Sequence, residues 1–380
     1  MFIRCAAACL VLTGLVEQPL LAEPQWKAGT AKTVITPDEP LWMAGYGGRD
    51  RPVEGKLHDL WVKVLVLEAA GGHRVVVLTS DLLGIPQSIY QNTLKALKGK
   101  FGLDPADVML TSSHTHCGPV LRGALLDIYP LNGEQLRMIE DYSARLERQI
   151  VDCVAGAIAD LEPARVSAGQ GATDFAVNRR NNREPDVPKL REDKALRGPV
   201  DHAVPVLAVH SPAGELRAVV FGYACHNTTL SFYQWCGDYA GFAQIELERR
   251  HPGAVAMFYM GCGADQNPLP RRAVELSEGY GRKLADAVDD VLAAGLDSNL
   301  PGRHPAEESA GKPLHVSPLK ELAPSVETAH DLIELDLGPA PTRDELAKMA
   351  AELTDYRQRW AVRLLKELDA GQTFRRTYPY

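Results

Sequence analysis

Three histidines and their neighbours are the residues most able to do chemistry. His114 and His116 stand two apart in Thr111-Ser-Ser-His-Thr-His-Cys-Gly-Pro119, directly after the apolar run Val108-Met-Leu110. An extended backbone has a side-chain period of two, so both imidazoles face one way if the strand persists. A neutral imidazole is a good zinc ligand, and paired imidazoles at the carboxyl end of a strand suit a transition metal. His-x-His alone serves equally as a hydrogen-bonded loop pair. Two further apolar runs end in similar polar tips, at His226-Asn-Thr-Thr229 and at Gly261-Cys-Gly-Ala-Asp265-Gln-Asn267-Pro268. In open α/β sheets ligands gather at the carboxyl ends of strands, so the tips converge if the three runs are parallel neighbours. Three histidines with Asp238 or Asp265 would then make an open zinc site with water in the remaining position. Such a site brings the pKa of bound water to about 7, making hydroxide available at neutral pH.

The flanking polar residues have competing uses. Asp81, at the end of an apolar run, and Asp238 serve as caps or as carboxylates that orient a histidine. Asp265 and Asn267 suit turns. Cys117, Cys225 and Cys262 each sit beside one element of the proposed site. They serve as small buried residues, as soft metal ligands, or as a nucleophile paired with His116 or His226. A thiol enzyme dies with iodoacetamide, whereas a zinc hydrolase dies with chelator and recovers with zinc.

These residues need elements to hold them, and the patterning supplies an α/β set of mixed β-sheets flanked by helices. Residues 28–35 read as an edge strand closing at Pro37. A Gly-rich loop follows at 43–49, able to border a pocket. Residues 60–68 and 74–80 read as strands, 86–100 as a helix with Pro86 near its first turn, and 133–161 as an amphipathic helix. Residues 164–171 read as a strand and 178–198 as a long surface loop. Residues 204–225 form a hairpin, 239–250 a helix, 254–260 a short strand and 275–294 a helix. Residues 332–337 alternate as a strand. Residues 342–370 read as one long helix, capped by Thr342 with Glu345 three residues on.

Length and composition set the bounds. The chain has 380 residues, of which 45% are hydrophobic, enough for a sizeable core. A formal net charge of -8 argues against a nucleic-acid surface. Residues 1–22 read as a signal peptide: a short basic start, an apolar stretch over 5–16, and cleavage after Ala22. This predicts an exported protein. The apolar stretch is short for a membrane span, and no later segment is long enough to cross a bilayer. Cys5 and Cys9 fall in that leader, so five of the seven cysteines remain, an odd number that leaves at least one thiol unpaired. The body divides into a hydrolase domain over 28–296, a linker or excursion rich in Pro, Gly, Ser and charge over 297–328, and a strand plus long helix over 329–380.

The motifs carry a resemblance. Thr111-Ser-Ser-His-Thr-His-Cys-Gly-Pro119, Val177-Asn-Arg-Arg180, Ala224-Cys-His-Asn-Thr-Thr229, Asp238-Tyr-Ala-Gly241 and the segment from Gly261 to Pro268 occur in the order seen in the neutral/alkaline (non-lysosomal) ceramidase family. The chain resembles that family from about residue 28 to 294, most specifically in its His-Thr-His block. The resemblance implies the N-terminal catalytic domain of a zinc amidohydrolase that cleaves the N-acyl bond of ceramide, with a lipid or small-molecule amide as substrate and peripheral contact with a membrane. It implies His114 as the first zinc ligand and His226 as the second. It implies His116 as the active-site histidine beside the metal and Arg179 as a pocket arginine. Two departures qualify the match. Where the family's glycine loop carries a serine, this chain has Gln266, which favours attack by metal-activated water over a serine nucleophile. The family's remaining ligands, a glutamate and a tyrosine, lie downstream of a Tyr-Pro segment, whereas this sequence ends at Tyr378-Pro-Tyr380. That reading expects a truncated domain, with an inactive or non-catalytic fragment and a Cys-His thiol hydrolase as the alternatives.

Overall fold

Alternation of buried side chains sets the layers of the molecule. The computed structural model describes residues 25–295 and 316–374. In chain order the elements are β1 (Trp26–Val34), β2 (Gly55–Lys56), β3 (Trp61–Glu68), β4 (Arg74–Ser80), α1 (Gln87–Phe101), β5 (Val108–Leu110) and α2 (Gly133–Ala159). There follow β6 (Glu162–Ala172), β7 (Ala176–Asn178), α3 (Val187–Glu192), β8 (Ala203–His210), β9 (Leu216–Tyr223), β10 (Gln234–Trp235) and α4 (Asp238–Arg250). The chain continues through β11 (Val255–Met260), β12 (Gln266–Pro268), α5 (Val274–Ala294), β13 (Ser317–Glu321), α6 (Arg343–Glu352) and α7 (Tyr356–Asp369).

The main sheet runs β11-β9-β8-β6-β1-β3-β4-β5, with β13 pairing β6. It behaves as two half-sheets. β1 pairs β3 from Lys27 to Val34 but meets β6 over only Trp26, Lys27 and Ala28. That narrow joint lets the halves fold face to face. Along β3, Val62, Val64 and Val66 pack outward into a cluster with α1 and α2. Leu65 and Leu67 point inward, to a second cluster shared with Val166, Val220, Val255 and Met257 of the other half. A third cluster seats α4 and α5 on the outer face of β8, β9 and β11. The result is helices, sheet, sheet, helices. On the same inward face as Leu65, Lys63 is buried, its Nζ 2.7 Å from Glu248 Oε1 and 2.8 Å from the Ala256 carbonyl, tying the halves together.

The two parallel pairs of the main sheet decide where chemistry can sit. β4 pairs β5 and β9 pairs β11 in parallel, so all four strands leave the sheet in matched pairs of exits. β5 and β11 lie at opposite ends of the sheet order, so the three histidine- and glycine-tipped runs are not all parallel neighbours, contrary to the expectation from sequence. They meet because the sheet folds over: the Met260 N–H donates to the Ser112 carbonyl at 3.3 Å, joining the two outer edges at their carboxyl ends.

Several expectations change. The strand over 28–35 is central, not an edge; Pro37 lies beyond its end and removes no ladder bond. Within 178–198 the chain forms α3, and Asn178 ends β7, which pairs with β12. Part of the expected linker is β13, while residues 297–315 lie outside the described residues, as do the expected signal peptide over 1–22 and the end of the chain over 375–380. Residues 332–337 form no strand. Leu332, Ile333 and Leu335 are 81%, 78% and 78% exposed, and alternation without a partner strand does not make one. The long C-terminal helix is two, α6 and α7. Thr342 caps the first, as expected, with the reciprocal Glu345 bond. Asp355 accepts from the Arg357 N–H and starts the second, an Asp preferring the cap to a helix interior. The pair packs chiefly on itself through Leu346, Ala361 and Leu364.

Candidate metal centre

Beyond β5 the backbone continues the parallel register for a few residues, with Thr111 N–H donating to Leu78 O and Ser113 N–H to Ser80 O, each at 2.8 Å. His114 then takes a positive φ of 57°. A left-handed non-glycine residue is a strained turn, the kind found where function fixes geometry. Thr115 turns into the core and donates its hydroxyl to the Cys236 carbonyl at 2.9 Å. His114 and His116 fall on the other side together. The two rings are thus neighbours, through a turn rather than through the pleat of a strand.

His226 follows β9 in the same manner. Its N–H donates to the Gln266 carbonyl at 2.9 Å. Its Nδ1 lies 2.7 Å from the Gly263 carbonyl. Only glycine fits at 263, because a Cβ there would lie 2.5 Å from the Cys225 nitrogen. The three imidazoles converge: one ligand nitrogen from each of His114, His116 and His226 lies within 4.8 Å of the others. The ring centroids are 4.9 Å apart for His114 and His226, and 5.1 Å for His114 and His116.

The hydrogen bonds sort the three rings into two kinds. His114 Nδ1 lies 2.7 Å from the Leu83 carbonyl. A carbonyl only accepts, so Nδ1 of His114 and of His226 carries the proton, and each Nε2 presents a lone pair to the shared space. That is the arrangement expected of a metal-ligating histidine. His116 differs. Its Nε2 is 3.4 Å from His114 Nε2, and its buried Nδ1 has no hydrogen-bond partner. Burial keeps all three neutral. It lowers His114, takes His226 down to about 4, and takes His116, with help from His114 and His226, down to about 2. Neutral rings are what a metal needs.

Other predicted residues fall into place at different distances from this centre. Arg179 is positioned by its N–H, which donates to the Asp265 carbonyl at 2.8 Å, beside the β7–β12 ladder. Its charge adds to the depression of all three histidines, and its buried Nε has no partner. The Asp265 carboxylate accepts from Asn178 Nδ2, not from a histidine. Asp238 accepts from the Leu230 and Tyr239 N–H groups and from the Ser277 hydroxyl. Asp81 accepts from the Trp61 N–H and from Gln244. Backbone carbonyls, rather than these carboxylates, thus hold the outer nitrogens of His114 and His226. The side chain of Gln266 accepts from the Asp201 N–H at 2.8 Å, a structural bond. Cys225 is fully buried and its thiol is pushed well up by desolvation, which works against a thiolate nucleophile.

Two residues of the Gly-rich loop reach the site, and only the glycines signalled it. Tyr46 packs its ring edge-on to His116, centroids 4.7 Å apart, and donates its hydroxyl to the Leu230 carbonyl at 2.9 Å. Arg49 is buried and donates to the carbonyls of Phe232 at 3.0 Å and His116 at 2.9 Å. Gly45, at φ 103°, allows this contact, since a Cβ would lie 2.4 Å from His116 Cγ.

The chain is similar to proteins of one family. A family model described as neutral/alkaline non-lysosomal ceramidase, N-terminal, matches residues 26–264. A neutral ceramidase of Pseudomonas aeruginosa is 27% identical over 271 residues, covering 68% of this chain and 39% of that protein. The crystal structure of neutral ceramidase from Pseudomonas aeruginosa is similar in fold, with a TM-score of 0.58 and 23% identity over 71% of this chain and 45% of the other. A structure described as ceramidase complexed with C2 is similar to the same degree, with a TM-score of 0.58 and 22% identity. The chain therefore spans less than half the length of the relatives it matches.

Proposed function

The chain belongs to the neutral/alkaline non-lysosomal ceramidase family, and from that premise we propose that it is a zinc-dependent hydrolase of N-acyl amide bonds, with a ceramide-like lipid amide as substrate. One observation carries the reading: His114 and His226, brought from separate strand tips, aim carbonyl-fixed, neutral imidazoles at one point. The donor set fits a transition metal, and zinc is the redox-inert choice for amide hydrolysis. A zinc ion held by His114 and His226 would act as a Lewis acid toward the amide carbonyl and bring the pKa of water to about 7.

The protein residues then have distinct tasks. His114 and His226 bind, each kept in the Nδ1–H tautomer by Leu83 O and Gly263 O. His116, without an orienting carbonyl, is the ring we assign to relay a proton between the attacking water and the leaving amine. Arg179, with an unpartnered buried Nε, faces the oxygen on which negative charge develops. Tyr46 and Arg49 hold His116 in place. Among the described residues no helix is long and apolar enough to cross a membrane; peripheral contact with a lipid amide is part of the proposal. Export, with cleavage after Ala22, is part of the proposal; sequencing the amino terminus of exported protein tests it, with Glu23 expected first.

The test is hydrolysis by the purified full chain of an N-acyl sphingosine carrying a fluorescent acyl group. Release of the labelled fatty acid, abolished by chelator and restored by zinc, is expected. Zinc-loaded protein that leaves the amide intact would overturn the reading.

A further inference from the structure

Cys117, the residue after His116, and Cys236 come from segments more than a hundred residues apart and meet through their backbones. Both are fully buried in the same apolar cluster. The Cys236 N–H donates to the Cys117 carbonyl at 3.4 Å, and burial, with the Cys117 thiol beside it, pushes the Cys236 thiol well up. Thr115 holds the other side of this junction, donating its hydroxyl to the Cys236 carbonyl and accepting from the Cys117 N–H at 3.1 Å. A disulfide needs Cα atoms roughly 4.4–6.8 Å apart, and a direct backbone hydrogen bond holds these two residues close together. Neither sulfur of the pair has an assigned task in the mechanism. Of the other described cysteines, Cys153 lies against the Val62 carbonyl, Cys225 sits in a different apolar cluster, and Cys262 is exposed.

We propose that Cys117 and Cys236 form a disulfide that braces the His114–His116 turn against the segment leading into α4. In the described structure both are thiols. Closure joins two S–H groups into one S–S bond. The two electrons and two protons pass to a small-molecule disulfide such as oxidised glutathione, which leaves as two thiols. Because the pair is sealed from solvent in the folded protein, the bond forms during folding and resists reduction afterwards. The bridge closes a long loop and so restricts the unfolded chain, which raises Tm in the oxidised form. The proposal is independent of the hydrolytic one, since it concerns the covalent state of the protein and not its activity.

Differential alkylation decides it. The full chain is refolded in a glutathione redox buffer, then denatured in a first alkylating reagent, reduced, and treated with a second of different mass. Peptide masses read which label each cysteine carries. The expected result is the second label on Cys117 and Cys236 and the first on Cys153, Cys225 and Cys262. In Cys117→Ser protein, Cys236 should move to the first label, and in Cys236→Ser protein Cys117 should do the same. First label on both cysteines in the refolded wild-type chain overturns the proposal, as does second label on Cys236 in the Cys117→Ser variant.

Discussion

Substituting Gly45 by alanine tests the placement of His116 without touching its chemistry. The backbone at Gly45 has φ 103°, where an L side chain is strained, at a cost of roughly 1–2 kcal/mol. The new methyl would lie 2.4 Å from His116 Cγ. Ordinary contact needs about 1 Å more, so the imidazole must shift by about that amount. A displacement of about 1 Å in a reacting group costs about 100-fold in rate, or ~2.7 kcal/mol of barrier. His114 and His226 are held by other carbonyls and do not move with it. The Gly45→Ala protein should therefore keep its zinc affinity and lose about two orders of magnitude in kcat for amide hydrolysis. Gly48→Ala is the control. Nothing lies within 4 Å of its would-be Cβ, so kcat should not change. Zinc titration against a chromogenic chelator, steady-state kinetics and a Tm measurement give the three readouts. If Gly45→Ala retains kcat while folded, His116 is not the proton acceptor. If it instead loses zinc, His116 is a ligand and the division of labour among the three rings is wrong.

The remaining expectations are independent of that one. Iodoacetamide should leave hydrolysis intact, because among the described cysteines Cys262 is exposed and the other four are buried, whereas a zinc chelator should abolish it; loss of activity on alkylation alone would revive a thiol mechanism. The metal-free chain should weaken in acid. His226 is neutral in the folded state down to about 4 but takes a proton below its ordinary 6.5 once unfolded, so the unfolded state binds more protons in that window. Stability is full above 6.5 and falls by roughly 3 kcal/mol as the pH drops to about 4; denaturant midpoints across that range check it, and a flat profile for His226 relative to His226→Gln refutes it. Thr342→Ala should loosen α6 by about 1 kcal/mol, seen as faster amide exchange confined to α6 and α7, with hydrolysis unchanged.

The sequence made visible those features that depend on short-range pattern. The alternation of Val62, Val64 and Val66 against Leu65 and Leu67 specifies a strand buried on both faces. The Thr342–Glu345 capping box places the start of α6. The three histidines were legible because each sits where an apolar run breaks into polar residues. What stayed hidden depends on partners distant in the chain. The central place of β1 comes from a three-residue joint with β6, which no local pattern encodes. The left-handed turn at His114 follows from contacts of Thr115 and Leu83 rather than from propensity. The carbonyls that orient His114 and His226 are backbone groups and so leave no mark in side-chain identity, which is why Asp81, Asp238 and Asp265 drew attention instead. Leu332 to Leu337 show the converse: an alternating pattern stays irregular when no described strand is beside it.

X-ray absorption at the zinc edge, on purified protein with metal content measured in parallel, addresses the central claim most directly. The account predicts bound zinc with at least two imidazole nitrogens at about 2.0–2.1 Å, lost together in His114→Ala and in His226→Ala. A protein that binds no zinc, or a zinc shell of sulfur unaffected by those substitutions, would contradict it.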